Sequence, residues 1–146
     1  MTSWYDEIGG ADTVLALAHA WHERVLADPV VSHAFSHGFR EDHTERLAAY
    51  WAEVLGGPAT YSQTMGDESE VVRTHSGNGP HDEMDRRAVD CFAAALADAG
   101  VPEVHHEALV TWFRDANTYV NHQYAGPDEV PDGLPMPVVG GSAPVE

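Results

Sequence analysis

Apolar residues recur at intervals of three or four along most of this chain, a spacing typical of one face of an α-helix. The pattern predicts a short first helix over about 4–8, and longer helices over about 13–26, 41–55, 84–99 and 104–123. No segment alternates apolar and polar residues for long enough to predict a strand, and no internal repeat is present. The fold class is therefore predicted to be all-α.

Two histidines interrupt the apolar faces of the first two long helices. His22 lies beside a stripe formed by Val14, Leu15, Ala18, Trp21, Val25 and Leu26. His43 lies one helical turn before Leu47 on the next stripe, and Phe35 falls in the corner that joins the two helices. A role in a binding pocket is one interpretation. A buried His22 bonded only to backbone, and a His43 that faces water, are alternatives that stay open.

The segment that contains His75 reads VVRTHSGNGP, residues 71–80. β-Branched and basic residues precede the histidine, and the glycines and proline after it exclude a long regular element. A short, positioned segment suits an imidazole that is offered to a metal ion. From this segment alone, a solvated loop histidine is the alternative. Residues 59–70, just before it, are polar and are predicted as a loop.

Composition and charge narrow the function classes. The 146 residues include 7 basic and 24 acidic ones, so the formal net charge is −17 at pH 7. Nucleic acids and anionic membranes both require a cationic footprint, so neither is expected as a partner. The single cysteine, Cys91, excludes an intrachain disulfide and indicates a reducing compartment. Neither a signal-peptide pattern nor a membrane-length apolar run is present, and we expect a cytoplasmic protein.

Residues 126–146 differ in composition from the rest of the chain. They are rich in proline and glycine and show no helical period. We therefore predict a tail without regular structure, with Leu134 and Met136 as its candidate contacts to the surface of the domain.

One stretch resembles a known family. The sequence LAAYWAEVLGGPATYS, residues 47–62, is followed by Arg73 and His75, and this combination is similar to the group II (O-type) truncated haemoglobins. The likeness covers about residues 5–122, and the VPDGLPMP segment of the tail resembles the C-terminal extension of an actinobacterial branch. The resemblance implies a truncated globin domain over 1–125, folded as a two-over-two helical sandwich around haem b. It also implies that His75 is the proximal ligand of the haem iron.

The resemblance gives five further positions a role toward the cofactor. Phe35 stands where the family stacks an aromatic ring on the porphyrin. Leu47 belongs to the distal wall, and Val89 extends the apolar wall that limits water. Tyr61 and Arg73 match residues that commonly reach the haem propionates, a role that suits a phenol and a guanidinium.

The distal positions depart from the family pattern. His22 stands where many members have a ligand-binding tyrosine, and His43 stands at the helix position that gates the distal side. Ala88, thirteen residues after His75, stands where group II members usually have a tryptophan. Phenol and indole donors are therefore both absent, and a bound ligand has to depend on imidazole. We expect His22 to donate to the ligand and His43 to gate its entry, with the reverse assignment left open.

The function predicted from this resemblance is reversible binding of a diatomic ligand, chiefly O₂ and otherwise NO or CO. The alternative is a haem-dependent oxidoreductase, either peroxidase-like or an NO dioxygenase. A peroxidase favours a carboxylate beside the proximal imidazole, and the spacing around His75 offers no obvious one. A haem-free interaction module is disfavoured because the His75 segment is intact. An unidentified reductase and a homodimer are further expected partners.

A second metal site is conceivable at His33 and His37. Their i, i+4 spacing on a helix could hold zinc. No cysteine or further ligand follows at a suitable spacing, so this hypothesis is disfavoured.

Overall fold

The computed structural model describes residues 3–35, 38, 41–76 and 82–139. Within these residues the chain forms helices and turns without a strand, so the all-α prediction is confirmed. The α-helices in this part are α1 (Trp4–Ile8), α2 (Ala11–Ala27), α3 (His43–Val54), α4 (Thr60–Thr64), α5 (Glu68–His75), α6 (Asp82–Asp98) and α7 (His106–His122). Short 3₁₀ turns occur at Val31–Phe35, Glu103–His105 and Pro127–Glu129.

Four of these helices form two packed layers. Helix α2 packs on α3, helix α6 packs on α7, and α2 also packs on α6, so the two pairs lie over one another. This is the two-over-two sandwich that the resemblance implied. The shorter α5 contacts α7 and lies outside the four-helix body. In the described part of the chain, no helix has both the length and the apolar content needed to cross a membrane.

An aromatic cluster holds the two layers together. Its members come from both pairs of helices: Trp21, Trp51, Phe92, Trp112 and Phe113. Phe92 and Phe113 are stacked with ring centroids 4.3 Å apart, and the remaining pairs meet edge to face at 5.5–6.3 Å. Each aromatic ring buries a large apolar area, so this cluster contributes much of the packing energy of the sandwich.

The inward face of α2 differs in part from the predicted stripe. Its buried residues are Val14, Leu17, Ala18, His22 and Val25. Leu15 and Leu26 were expected inside, yet they are 38% and 42% exposed. Each lies one residue beyond a buried position, and one residue turns the helix by about 100°, which carries the side chain off the buried face.

The prediction of a loop over 59–70 was wrong. These residues include α4 and the first turn of α5. The backbone N–H and the hydroxyl of Ser62 donate to the buried carboxylate of Glu53, at 2.8 and 2.6 Å, and this fastens α4 to α3. Asp67 caps α5 by accepting a hydrogen bond from the Glu70 N–H at 2.9 Å. His75 is the last residue of α5, so its short, positioned segment is helical.

The tail docks on α5 and on the end of α3. The Ser69 hydroxyl donates to the Pro131 carbonyl at 2.7 Å and accepts from the Leu134 N–H at 3.1 Å. Farther along, the Val139 N–H donates to the Val54 carbonyl at 2.8 Å. Val130 and Ser69 are buried, and Met136 packs against the core. Within its described residues, 126–139, the tail has one short 3₁₀ turn as its regular element, and its backbone makes specific contacts.

Candidate functional site

Helix α5 ends in an imidazole whose orientation is fixed. Nδ1 of His75 lies 2.7 Å from the carbonyl oxygen of Val71, one helical turn earlier. A carbonyl can only accept, so Nδ1 carries the hydrogen and donates it. In a neutral imidazole the other nitrogen, Nε2, then carries the lone pair that a metal ion requires. Burial lowers the pKa of His75, which favours the neutral form at neutral pH.

Two further imidazoles, from α2 and α3, lie against each other. The rings of His22 and His43 have centroids 5.0 Å apart and planes tilted by 44°. His22 is buried, and its Nδ1 lies 2.9 Å from the hydroxyl oxygen of Thr44, the residue after His43. The contact between α2 and α3 therefore positions both rings.

His43 interacts electrostatically with both of the other histidines. Burial is the main cause that lowers the pKa of His43, and the nearby His22 and His75 lower it further. Burial also lowers the pKa of His22, with a smaller contribution from His19. His43 thus lies close enough to His22 and to His75 to feel their charges, and the lowered pKa values favour neutral rings in which each imidazole has one N–H and one lone pair.

The apolar positions of the predicted site lie on or against the hydrophobic core. Leu47 and Val89 are partly buried and pack against the hydrophobic core, and Ala88 is buried. The indole N–H of Trp21 donates to the Ala88 carbonyl at 3.1 Å, so that donor is engaged by backbone. The side chain of Phe35 lies outside the described residues, and its stacking role stays a prediction.

Tyr61 lies in a buried aromatic corner. Its ring meets Tyr50 edge to face at 5.3 Å, and burial raises the pKa of its phenol. The guanidinium of Arg46 stands 5.8 Å from the Tyr61 ring centroid and donates to the Met65 carbonyl at 3.0 Å. A cation therefore lies beside this phenol, and the predicted contact of Tyr61 with a propionate stays a prediction.

Arg73 is directed to the tail. Its guanidinium donates to the Val130 carbonyl at 3.2 Å and pairs with the carboxylate of Asp132. The predicted contact of Arg73 with a propionate therefore competes with its contacts to the tail, and it stays a prediction.

Sequence reasoning missed a buried pair that joins α3 to α5. The Tyr50 hydroxyl donates to Oε1 of Glu68 at 2.7 Å, and Glu68 is fully buried. Among the described residues, Oε2 of Glu68 has no hydrogen-bond partner. Burial raises the pKa of this carboxyl. The signal was available, because Tyr50 follows His43 by seven residues and Glu68 precedes His75 by seven, which places each pair on one helix face.

The zinc hypothesis gains no support. His33 is exposed, and His37 lies outside the described residues. Within the ranges that the structure describes, no cluster of three or more His, Cys, Asp or Glu side chains could hold a metal ion.

The donor set fits a haem group. One neutral imidazole at the end of α5 would coordinate iron through Nε2, with its other nitrogen held by backbone. A carbonyl partner of this kind fixes the tautomer and orientation of a metal-ligating histidine. The imidazole of His43 lies within electrostatic range of His75 and contacts the ring of His22.

A family model described as bacterial-like globin matches residues 3–122. Among solved structures, a haemoglobin from Chloroflexus aurantiacus is 28% identical, with a TM-score of 0.71, and covers 82% of this chain and 98% of its own. One from the actinobacterium Thermobifida fusca is 26% identical, with a TM-score of 0.70 and coverage of 83% and 98%. A group II truncated haemoglobin from Bacillus anthracis has a TM-score of 0.72 and coverage of 82% and 91%, but at 18% identity it shows the fold alone.

A curated relative carries a different group label. The group 1 truncated haemoglobin of Synechocystis is 30% identical over 105 residues, which is 70% of this chain and 82% of the relative. The comparisons confirm the predicted truncated globin family, whereas group II labels occur among the fold neighbours and a group 1 label on this sequence relative.

Proposed function

Because the chain belongs to the bacterial-like globin family, we propose that it binds a diatomic gas reversibly at the iron of haem b, with His75 as the proximal ligand. Membership of the family implies haem-based gas binding. The finer assignments are ours: O₂ as the main ligand with NO or CO as others, non-covalently bound haem b, and the group II label. Residues 47–62 together with Arg73 and His75 support the group II assignment.

One observation carries the proposal: the bond from His75 Nδ1 to the Val71 carbonyl. It leaves Nε2 as the basic nitrogen and holds the ring at the end of α5. When bound, haem would supply an iron atom at which a small gas molecule can bind and leave. The side chains around that site would stabilise the bound gas and limit the access of water.

Those side chains provide polarity and exclude water. His22 is buried and held at Nδ1 by Thr44, so its imidazole has a defined orientation. We assign to it the N–H that stabilises partial negative charge on the gas ligand. His43, at the first position of α3, is the candidate gate. Leu47 and Val89 provide the apolar wall.

A haem-dependent oxidoreductase is the second candidate. A peroxidase benefits from a carboxylate partner that makes the proximal imidazole more basic. Here the Nδ1 partner of His75 is the neutral carbonyl of Val71, and the buried carboxyl of Glu68 lies two helical turns away on α5, a rise of about 10 Å. This observation favours reversible binding over peroxidase chemistry. An NO dioxygenase shares the O₂-binding step and remains the stronger enzymatic alternative.

Partners follow from the same chemistry. Reversible O₂ binding requires ferrous iron, so we include an unidentified reductase that restores it, and a homodimer stays a proposal. The two-part organisation, with the globin domain over 1–125 and the tail over 126–146, is also a proposal. A cytoplasmic location is proposed from the cysteine usage and composition.

Cycling the gas tests the function directly. The ferrous protein should change its spectrum on addition of O₂ and recover the ferrous spectrum after deoxygenation, over several cycles. Added H₂O₂ and a reducing dye should give turnover no faster than a matched amount of free haem. Peroxide turnover well above free haem, without a reversible O₂ spectrum, would replace the binding function with the enzymatic one.

A further inference from the structure

A threonine hydroxyl contacts the buried distal histidine. Oγ1 of Thr44 lies 2.9 Å from Nδ1 of His22, and both residues are buried. This contact joins α3 to α2. In a neutral imidazole, whichever nitrogen carries the hydrogen decides what the ring can do toward a ligand. The direction of the hydrogen bond between Thr44 and His22 therefore decides which ring nitrogen of His22 can donate to a ligand.

The position of Thr44 in its helix indicates that the hydroxyl donates. Three hydroxyls in or at the end of helices donate to the carbonyl four residues earlier: Thr64 to Thr60, Thr74 to Glu70 and Ser76 to Val72. Thr44 is only the second residue of α3, and position 40 precedes the helix. Thr44 therefore stands outside that pattern, and its hydroxyl lies at hydrogen-bond distance from the imidazole nitrogen of His22 instead.

We propose that Thr44 is a positioning residue that donates to His22 Nδ1 and so holds His22 in the tautomer with hydrogen on Nε2. This inference rests on the proposed function, because it specifies how His22 offers an N–H to the gas ligand. The two nitrogens lie on opposite sides of the ring, so the nitrogen that faces away from Thr44 carries the hydrogen. The opposite tautomer would present a lone pair, which repels a negatively polarised ligand and can coordinate iron instead.

The proposal makes a specific prediction for two substitutions. Thr44→Val keeps the branched shape and removes the hydroxyl, so His22 Nδ1 loses its donor. His22 should then populate the tautomer with hydrogen on Nδ1. Thr44→Ser keeps a hydroxyl on the same carbon and should retain the wild-type tautomer. A purely structural role for the threonine would not separate the two variants in this way.

The tautomer can be read directly in the ¹⁵N-labelled, CO-bound ferrous protein. Long-range ¹H–¹⁵N correlation spectra distinguish the protonated from the unprotonated ring nitrogen, and the His22 signals are assigned by their loss in His22→Leu. We expect hydrogen on Nε2 in the wild type and in Thr44→Ser, and a shift toward hydrogen on Nδ1 in Thr44→Val. Hydrogen on Nδ1 in the wild type, or an unchanged tautomer in Thr44→Val, would overturn the proposal.

Kinetics separates this inference from the proposed function. We expect Thr44→Val to speed O₂ release several-fold, Thr44→Ser to stay near the wild-type rate, and Thr44→Val to add nothing in a His22→Leu background. An equal acceleration in that background would show that Thr44 acts without His22 and would contradict the proposal. If His22→Leu itself leaves O₂ release unchanged, the donor role of His22 fails, whereas the tautomer spectra still decide what Thr44 does.

Discussion

Replacing Glu68 with glutamine should remove a pH dependence from the stability of the protein. Glu68 is fully buried, accepts one hydrogen bond from Tyr50, and has Oε2 without a partner in the described part of the chain. Burial raises the pKa of this carboxyl above its ordinary value. The folded state therefore holds the proton more tightly than the unfolded state does. Stability from this group is present at low pH and is lost as pH rises from the unfolded pKa through the folded one.

The size of the effect follows from proton linkage. When only the folded state holds the proton, the free energy of unfolding falls by about 1.4 kcal/mol for each unit that the pH rises across that window. Above the folded pKa the loss stays constant. Glutamine keeps an acceptor for the Tyr50 hydroxyl but cannot ionise. Its amide group replaces the unpartnered Oε2 and costs about 1–3 kcal/mol at every pH. The stability of Glu68→Gln relative to the wild type should therefore rise with pH and then level off.

Urea unfolding of the ferric haem-loaded protein, followed by far-UV circular dichroism, measures this difference at several values between about pH 5 and pH 9. Glu45→Gln is the matched control, because it removes one exposed carboxylate from α3. The lowered pKa values of His22 and His43 make wild type and variant alike lose stability as pH falls through the ordinary histidine range, and this cancels in the difference. Stability curves for wild type and Glu68→Gln that stay parallel throughout would refute the reasoning about Glu68.

Three further predictions concern the pocket, the tail and the cofactor. His22→Leu should speed O₂ release about tenfold or more, since a hydrogen bond to a charged acceptor contributes about 1.5–3 kcal/mol, whereas His43→Leu should mainly change the association rate. Stopped-flow and flash photolysis measure both rates. If His43→Leu speeds release and His22→Leu does not, the two roles are reversed. Ser69→Ala removes two hydrogen bonds to the tail and should cost about 1–3 kcal/mol of stability. Removal of the tail from Gly126 should lower the melting temperature and leave the haem spectrum unchanged. Loss of haem on truncation would show that the tail supports the pocket. Acidified butanone should extract the porphyrin, because the chain has no Cys-x-x-Cys-His motif; haem retained by the protein would indicate a covalent link.

The sequence pattern predicted the four long helices and the two histidine-bearing faces because burial in a sandwich of helices imposes a period of 3.6 residues. It erred where neighbouring apolar residues shared a turn, as Leu15 and Leu26 show: only one of two adjacent residues can lie at the centre of a face. It also missed α4, since that helix has no apolar period and depends on the contact of Ser62 with the Glu53 carboxylate.

The candidate site residues could be named from the sequence, and their hydrogen bonds could not. His75 could be found from the resemblance, but its bond to the Val71 carbonyl depends on α5 being a helix at that point. The contact of Thr44 with His22 requires the pairing of α2 with α3, which no local pattern contains. The tail docks through backbone carbonyls such as that of Pro131. Every residue has a backbone carbonyl, so the sequence gives no signal for this contact.

Absorption spectra of the wild type, His75→Ala and a matched histidine variant test the central claim most directly. His106→Ala is the control, because His106 is also half-buried and its Nε2 lies 2.7 Å from the Val101 carbonyl. Spectra of the ferric, ferrous and CO-bound forms after haem addition should show a histidine-ligated haem in the wild type and in His106→Ala. His75→Ala should lose that spectrum and the added thermal stability that haem gives to the folded state. A His75→Ala protein with the wild-type Soret band and melting temperature would contradict the assignment of His75 as the proximal ligand.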